Sequence, residues 1–137
     1  MDPVNLDIAL RMTEAALRQA AREGASICVA VVDAGGHLVS FQRMAGAGVA
    51  GAVLAPRKAY TSVALRAATA GLAPLLAPGG ELHGLNDDRF VFSAGGLPLW
   101  ADDGEGERVA GAVGVSGGTR AQDEACAEAA ALVWRTR

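Results

Sequence analysis

Aromatic residues make up only 4% of the chain, and there are only two cysteines and two histidines. Cys28 falls in a predicted strand and Cys126 in a predicted helix, with no CxxC or Cys/His spacing around either. That excludes a disulfide framework or a structural zinc site and leaves two buried free thiols, as suits a reducing cytoplasm. There is no basic run with interleaved aromatics, and the formal net charge is −3, which argues against a nucleic-acid or anionic-membrane surface. The first residues lack a basic stretch followed by an apolar one, so no secretory signal is expected. No apolar run approaches the roughly 20 residues that a spanning helix needs, so no membrane partner is expected either.

What the chain has in quantity is small residues. It is 51% hydrophobic with 18 glycines in 137 residues. The length suits one domain over 1–137, with a genuine core but not two. Alanine and glycine fill a core thinly, yet they allow helices, sheets and neighbouring subunits to approach closely.

Residues from Val4 to Glu23 predict an amphipathic helix, with Leu6, Leu10, Thr13, Leu17 and Ala20 at 3-4 spacing. Asp2-Pro3 or Asn5 supplies its start, and Gly24 stands at the C′ position. Ile27 to Val32 is a nearly continuous apolar run, expected as a strand covered on both faces. Asp33-Ala34-Gly35-Gly36 turns the chain into a second strand over His37 to Arg43, giving a hairpin. A helix follows from Ala50 to Ala67, and Pro56 implies either a kink or a true start near Ala55. Thr69 is expected to cap a short helix through Leu76, ended by Pro78-Gly79-Gly80.

Glu81 to Arg89 reads as a surface loop. Phe90 to Ser93 and Leu97 to Trp100 flank Ala94-Gly95-Gly96 and predict a second hairpin, with Pro98 at an edge or bulge. Arg108 to Ser116 is the last strand and Thr119 to Arg135 the last helix. The order α-β-β-α-α-β-β-β-α predicts an α+β fold, an antiparallel sheet of about five strands flanked by helices. The terminal helices are expected to share one face.

The most informative stretch is Val109 to Asp123. A strand interrupted by Gly111 and Gly114 breaks at Gly117-Gly118 and enters a helix. Thr119 and Gln122 have the spacing of a capping box, and Asp123 suits the positive end of the helix dipole. Ser116, Gly117 and Gly118 leave backbone donors open for a ligand. Lys58 and Thr61 are three residues apart, on one face of the second helix. If that face looks toward the Ser116 turn, the cation and the amides converge on a carboxylate, and Arg43 can join from the second strand.

His37, after the turn, can ligate a metal, titrate or bond a turn carbonyl. His83 lies in the exposed loop. No preformed metal cage is readable around either. Asp33 is a candidate general base, although Asp before Gly-Gly is ordinary turn chemistry. Ser116 is not in a Gly-x-Ser-x-Gly elbow, which excludes that hydrolase pattern.

Several motifs succeed one another in order: Asp33-x-x-Gly36-His37-Leu38, Arg43-Met44-x-Gly46-Ala47, Lys58-Ala59-x-Thr61, Gly95-Gly96-Leu97-Pro98, and Gly111 to Gly118 followed by Gln122-Asp123. Together they resemble the GlcG/HbpS family of haem-binding or haem-degrading-type domains, related to the C-terminal domain of PduO proteins. The resemblance implies a profilin-like layout, assembly into homo-oligomers (tetramers or octamers) and a haem, iron or corrinoid-associated role. Haem asks for an apolar slot, one axial donor and a cation for the propionates, for which Arg43, Lys58 or Arg66 would serve. The chain departs from the family at Ala45, where an Asp is usual, and its first helix lacks the histidine from which some relatives are thought to ligate haem.

The first reading is therefore a small-ligand-binding accessory protein, with haem or another anionic cofactor or metabolite as ligand. The alternative is an enzyme acting on a small carboxylated metabolite, in which Arg43 and Lys58 hold the carboxylate and Asp33 or His37 moves the proton. A third reading is a purely structural assembly partner.

Overall fold

A computed structural model describes residues 3–137. The elements are α1 (Leu6–Arg22), β1 (Cys28–Asp33), β2 (Leu38–Arg43), α2 (Val49–Leu65), a 3-10 turn (Thr69–Gly71), α3 (Ala73–Leu76), β3 (Gly96–Asp102), β4 (Glu107–Ser116) and α4 (Arg120–Arg135). The four strands form one sheet in the order β2-β1-β4-β3, every neighbouring pair antiparallel. Asn5 caps α1, its side chain accepting from the Ile8 amide at 3.0 Å, and Gly24 follows the helix with φ +68°. Asp2, the other candidate for that start, lies outside the described residues.

Strand alternation divides the core in two. Ile27, Val29, Val31, Leu97, Leu99, Val113 and Val115 face α1 and α4 in the larger cluster. Cys28, Ala30, Val32 and Ala112 face α2, where they meet Ala55, Ala59 and Val63. The terminal helices thus share a face, and β1, central and buried on both sides, explains the unbroken apolarity of its sequence. Both cysteines are free and buried. The small residues decide how close α2 can come: a Cβ on Gly114 would run into the carbonyl of Ala55 and stand 2.6 Å from the amide of Ala59. This is close backbone approach of the kind that only glycine permits.

Three expectations need correction. The sheet has four strands, not five, because Phe90 to Ser93 does not pair as a strand. Its backbone is taken by two threonines instead: the Val91 amide donates to Thr61 Oγ1 at 2.9 Å, and Thr69 Oγ1 donates to the Ser93 carbonyl at 2.6 Å. Phe90 meanwhile stacks on Tyr60 of α2 with ring centroids 6.1 Å apart. The second hairpin is β3–β4, turning through the acidic residues 103–106.

Thr69 is not a cap; its hydroxyl also accepts from the Gly96 amide at 2.9 Å, tying the start of β3 to the 3-10 turn. Finally, α2 does not begin near Ala55 but runs unbroken through Pro56 from Val49. Gly51 and Ala55 on one side of the proline and Lys58 and Ala59 on the other are all buried, so packing on both sides offsets one missing backbone hydrogen bond. Pro98 sits where a proline belongs, on the edge strand β3 and next to a register shift between Leu99 and Trp100.

Candidate functional site

Where β4 ends, Lys58 of α2 and Asp123 in the first turn of α4 form a buried charged pair, although the two helices lie on opposite faces of the sheet. Lys58 is 3% exposed and Asp123 5%. Lys58 Nζ stands 3.3 Å from Asp123 Oδ2 and donates to the Val115 carbonyl at 2.9 Å. Asp123 Oδ1 accepts from the Gly118 amide at 2.8 Å, and the Gly117 amide also favours its charged form. Burial pushes the Lys58 ammonium below its ordinary range, and the carboxylate of Asp123 resists that shift. Burial likewise pushes the Asp123 carboxyl upward, opposed first by the Gly118 amide and then by Lys58. Glu124, next along α4, adds a negative charge felt by Lys58, and its Oε2 is buried without a hydrogen-bond partner among the described residues.

The lysine and the glycine amides thus converge on a carboxylate as their spacing suggested, but the carboxylate belongs to the chain. Asp123 was legible only as a helix-dipole partner. The signal for more was present: Thr119 and Gln122 already complete the capping box, with bonds of 3.2 and 3.0 Å, so Asp123 is surplus to capping. Gly117 has φ +132°, and a Cβ there would stand 2.5 Å from the Ser26 carbonyl; the turn that aims the amides is therefore built for glycine. Thr61 is buried and faces the Phe90 segment, donating to the Arg57 carbonyl at 2.7 Å while accepting from Val91.

The remaining candidates lie apart from this node. Arg43 is exposed at the end of β2 and pairs across β1 with Cys28, whose other cross-strand partner is Ser116. It shares that end of the sheet with Ser116, two strands away. Asp33 and His37 stand at the opposite end of β1, about 17 Å away at a strand rise of about 3.3 Å per residue. There Asp33 Oδ1 accepts from the amides of Gly35 and His37 at 3.0 and 2.9 Å and lies 3.2 Å from His37 Nδ1. His83 is exposed, with Nδ1 3.1 Å from the Leu76 carbonyl.

With this architecture established, comparison with known proteins is decisive. The family described as "Haem degrading protein HbpS-like" matches residues 4–132. The chain belongs to the HbpS-like family. Klebsiella pneumoniae protein ORFY is 31% identical with a TM-score of 0.91, the match covering 100% of this chain and 94% of ORFY. The PduOC:haem complex is also 31% identical, with a TM-score of 0.87 over 96% of this chain and 95% of that one. The corrinoid adenosyltransferase PduO of Salmonella typhimurium is 35% identical over 88% of this chain, which spans only 35% of that enzyme.

Haem is therefore the cofactor that the HbpS-like fold brings into question, and the donors in this chain do not fit an iron-ligated haem within one subunit. His37 has a side chain 81% exposed on a turn, and His83 is exposed on a loop. Lys58 is committed to Asp123 and Val115. Met12 is wholly buried, and Met44 Sδ accepts from the Ile27 amide at 3.4 Å. Five clefts among the described residues carry no His, Cys, Met, Tyr or Lys on their walls. They do carry arginines: Arg18, Arg22 and Arg135 line the groove between α1 and α4, of about 560 Å³. No group of three or more His, Cys, Asp or Glu that could hold a metal ion occurs among the described residues. No described helix is long and apolar enough to cross a membrane.

Proposed function

We propose that this HbpS-like chain is a small-ligand-binding accessory protein whose ligand is an anionic tetrapyrrole, haem first among them. One observation carries the reading: the chain shares its whole fold with a domain crystallised with haem. The arginine-lined clefts support it, because a guanidinium pairs bidentately with a propionate. With no axial donor on the cleft walls of one subunit, the reading is that the ligand is recognised through its rim and faces. Assembly into homo-oligomers belongs to the same proposal. It is supported by large apolar side chains left on the surface, including Val49 at 90% and Leu38 at 56% exposure.

The enzyme reading needs a carboxylate clamp and a proton carrier side by side. In the fold Lys58 is matched by Asp123, while Asp33 and His37 lie at the far end of β1. No small metabolite spans both, so binding is the better-supported function. The test is a haem titration recorded at the Soret band. Saturable one-site binding at micromolar protein is the expected result, and its absence would sink the tetrapyrrole reading.

A further inference from the structure

We propose that the cleft around Trp100, at the free edge of the sheet, binds a planar conjugated carboxylate of the tetrapyrrole class without a bond to its metal. This rests on the tetrapyrrole reading above and adds a place and a mode to it. Leu97, Leu99 and Ala101 of β3 face the larger core, so the Trp100 indole alternates to the other face and is 41% exposed. Clefts of about 380 and 470 Å³ lie against it, and both have Trp100 and Arg66 on their walls. The smaller is lined by Leu97, Pro98 and Ala131, with Arg135 and its partner Glu128 also on its wall.

Arg66 is the residue that makes this more than an exposed tryptophan. It is the only described non-glycine residue with positive φ, at 54°. Left-handed backbone carries a steric penalty for a side chain of this size. The chain places glycine in such positions elsewhere, at Gly24 and Gly36 among others. No hydrogen bond or ion pair holds the Arg66 side chain among the described residues, and Arg135 has only an exposed partner, Glu128 at 3.4 Å. A flat indole face with guanidinium groups beside it suits a conjugated ring stacked on Trp100 with its carboxylates on the arginines. Neither wall offers an iron donor, so the metal contributes nothing to recognition.

The competing account is structural: a cation at the C-terminal end of α2 suits the helix dipole. Both accounts are separated by titrating the 137-residue chain with haem, with metal-free protoporphyrin IX and with its dimethyl ester, read by the shift of each tetrapyrrole's own Soret band. Haem and metal-free porphyrin are expected to bind within about threefold of each other, and the uncharged ester about tenfold more weakly. Trp100→Ala and Arg66→Gly each weaken both acids by about tenfold. Arg66→Gly at the same time raises Tm, since glycine relieves the left-handed strain.

Haem binding without porphyrin binding would overturn the inference in favour of an iron bond. So would an Arg66→Gly protein with raised Tm and unchanged affinity. If haem binds normally to both variants, the site is wrong and the tetrapyrrole reading stands; if neither tetrapyrrole binds, both fall.

Discussion

Replacing Lys58 with methionine removes the cation from a carboxylate that the fold still buries. At 3.3 Å and an effective dielectric near 20, the attraction between the two charges is about 5 kcal/mol. Losing one partner of a buried pair costs about 3–5 kcal/mol, and Lys58→Met is expected to cost that much near neutral pH. The size of the loss must depend on pH. Burial already holds the Asp123 carboxyl above its ordinary range, and Lys58 opposes that shift. Without Lys58 the folded pKa rises further, so protonation favours the native state. The deficit of the variant is then greatest at neutral pH and shrinks as pH falls through the folded pKa toward the ordinary carboxylate range.

Asp123→Asn gives the mirror image. Lys58 is held below its ordinary range by burial, and losing Asp123 lowers it further. The deficit of that variant shrinks as pH rises through the folded pKa of Lys58 toward the ordinary lysine range. Urea unfolding followed by circular dichroism at several pH values gives both slopes. A double-mutant cycle adds the coupling, and Lys58→Met with Asp123→Leu should lie within about 2 kcal/mol of wild type. Parallel pH profiles for the two single variants, or a loss below about 1 kcal/mol for Lys58→Met, would refute the buried-pair account.

Other perturbations test the surrounding architecture. Gly114→Ala forces a methyl into the Ala55 carbonyl and should cost about 3 kcal/mol in chemical denaturation, with α2 displaced from β4. Thr69→Val strips the Gly96 amide and the Ser93 carbonyl of their shared partner, a loss of about 2 kcal/mol that Thr69→Ser should largely restore. Thr119→Ala breaks the capping box and should lower stability by about 1 kcal/mol with no change in the Lys58 pH signature.

Most of the helices and the central strand were legible from local pattern, because their signals are local. Asn5, Gly24, Thr119 and Gln122 each act within a few residues of themselves, and β1 declares its two-sided burial by continuous apolarity. Phe90 to Ser93 misled because its β-rich composition says nothing about who claims its backbone. The answer lay about 30 positions away at Thr61 and 24 away at Thr69. Trp100 lies opposite Leu99 by strand alternation, but that its face is left uncovered depends on β3 being the edge of the sheet, which only the topology decides.

The sequence by itself determined the class of fold, the order of its main elements, the Gly117-Gly118 break and the family, all of which depend on residue type at short spacing. The tertiary structure alone decided that Lys58 pairs with Asp123 inside the fold, and that Arg66 and Trp100 face the same clefts. Lys58 and Asp123 are 65 positions apart, and a lysine on a helix looks the same in sequence whether solvent or a carboxylate awaits it. Only the packing of α2 on one face of β4 and of α4 on the other brings the two charges together at its end, and burial there leaves them no other partner of opposite sign within hydrogen-bonding reach among the described residues.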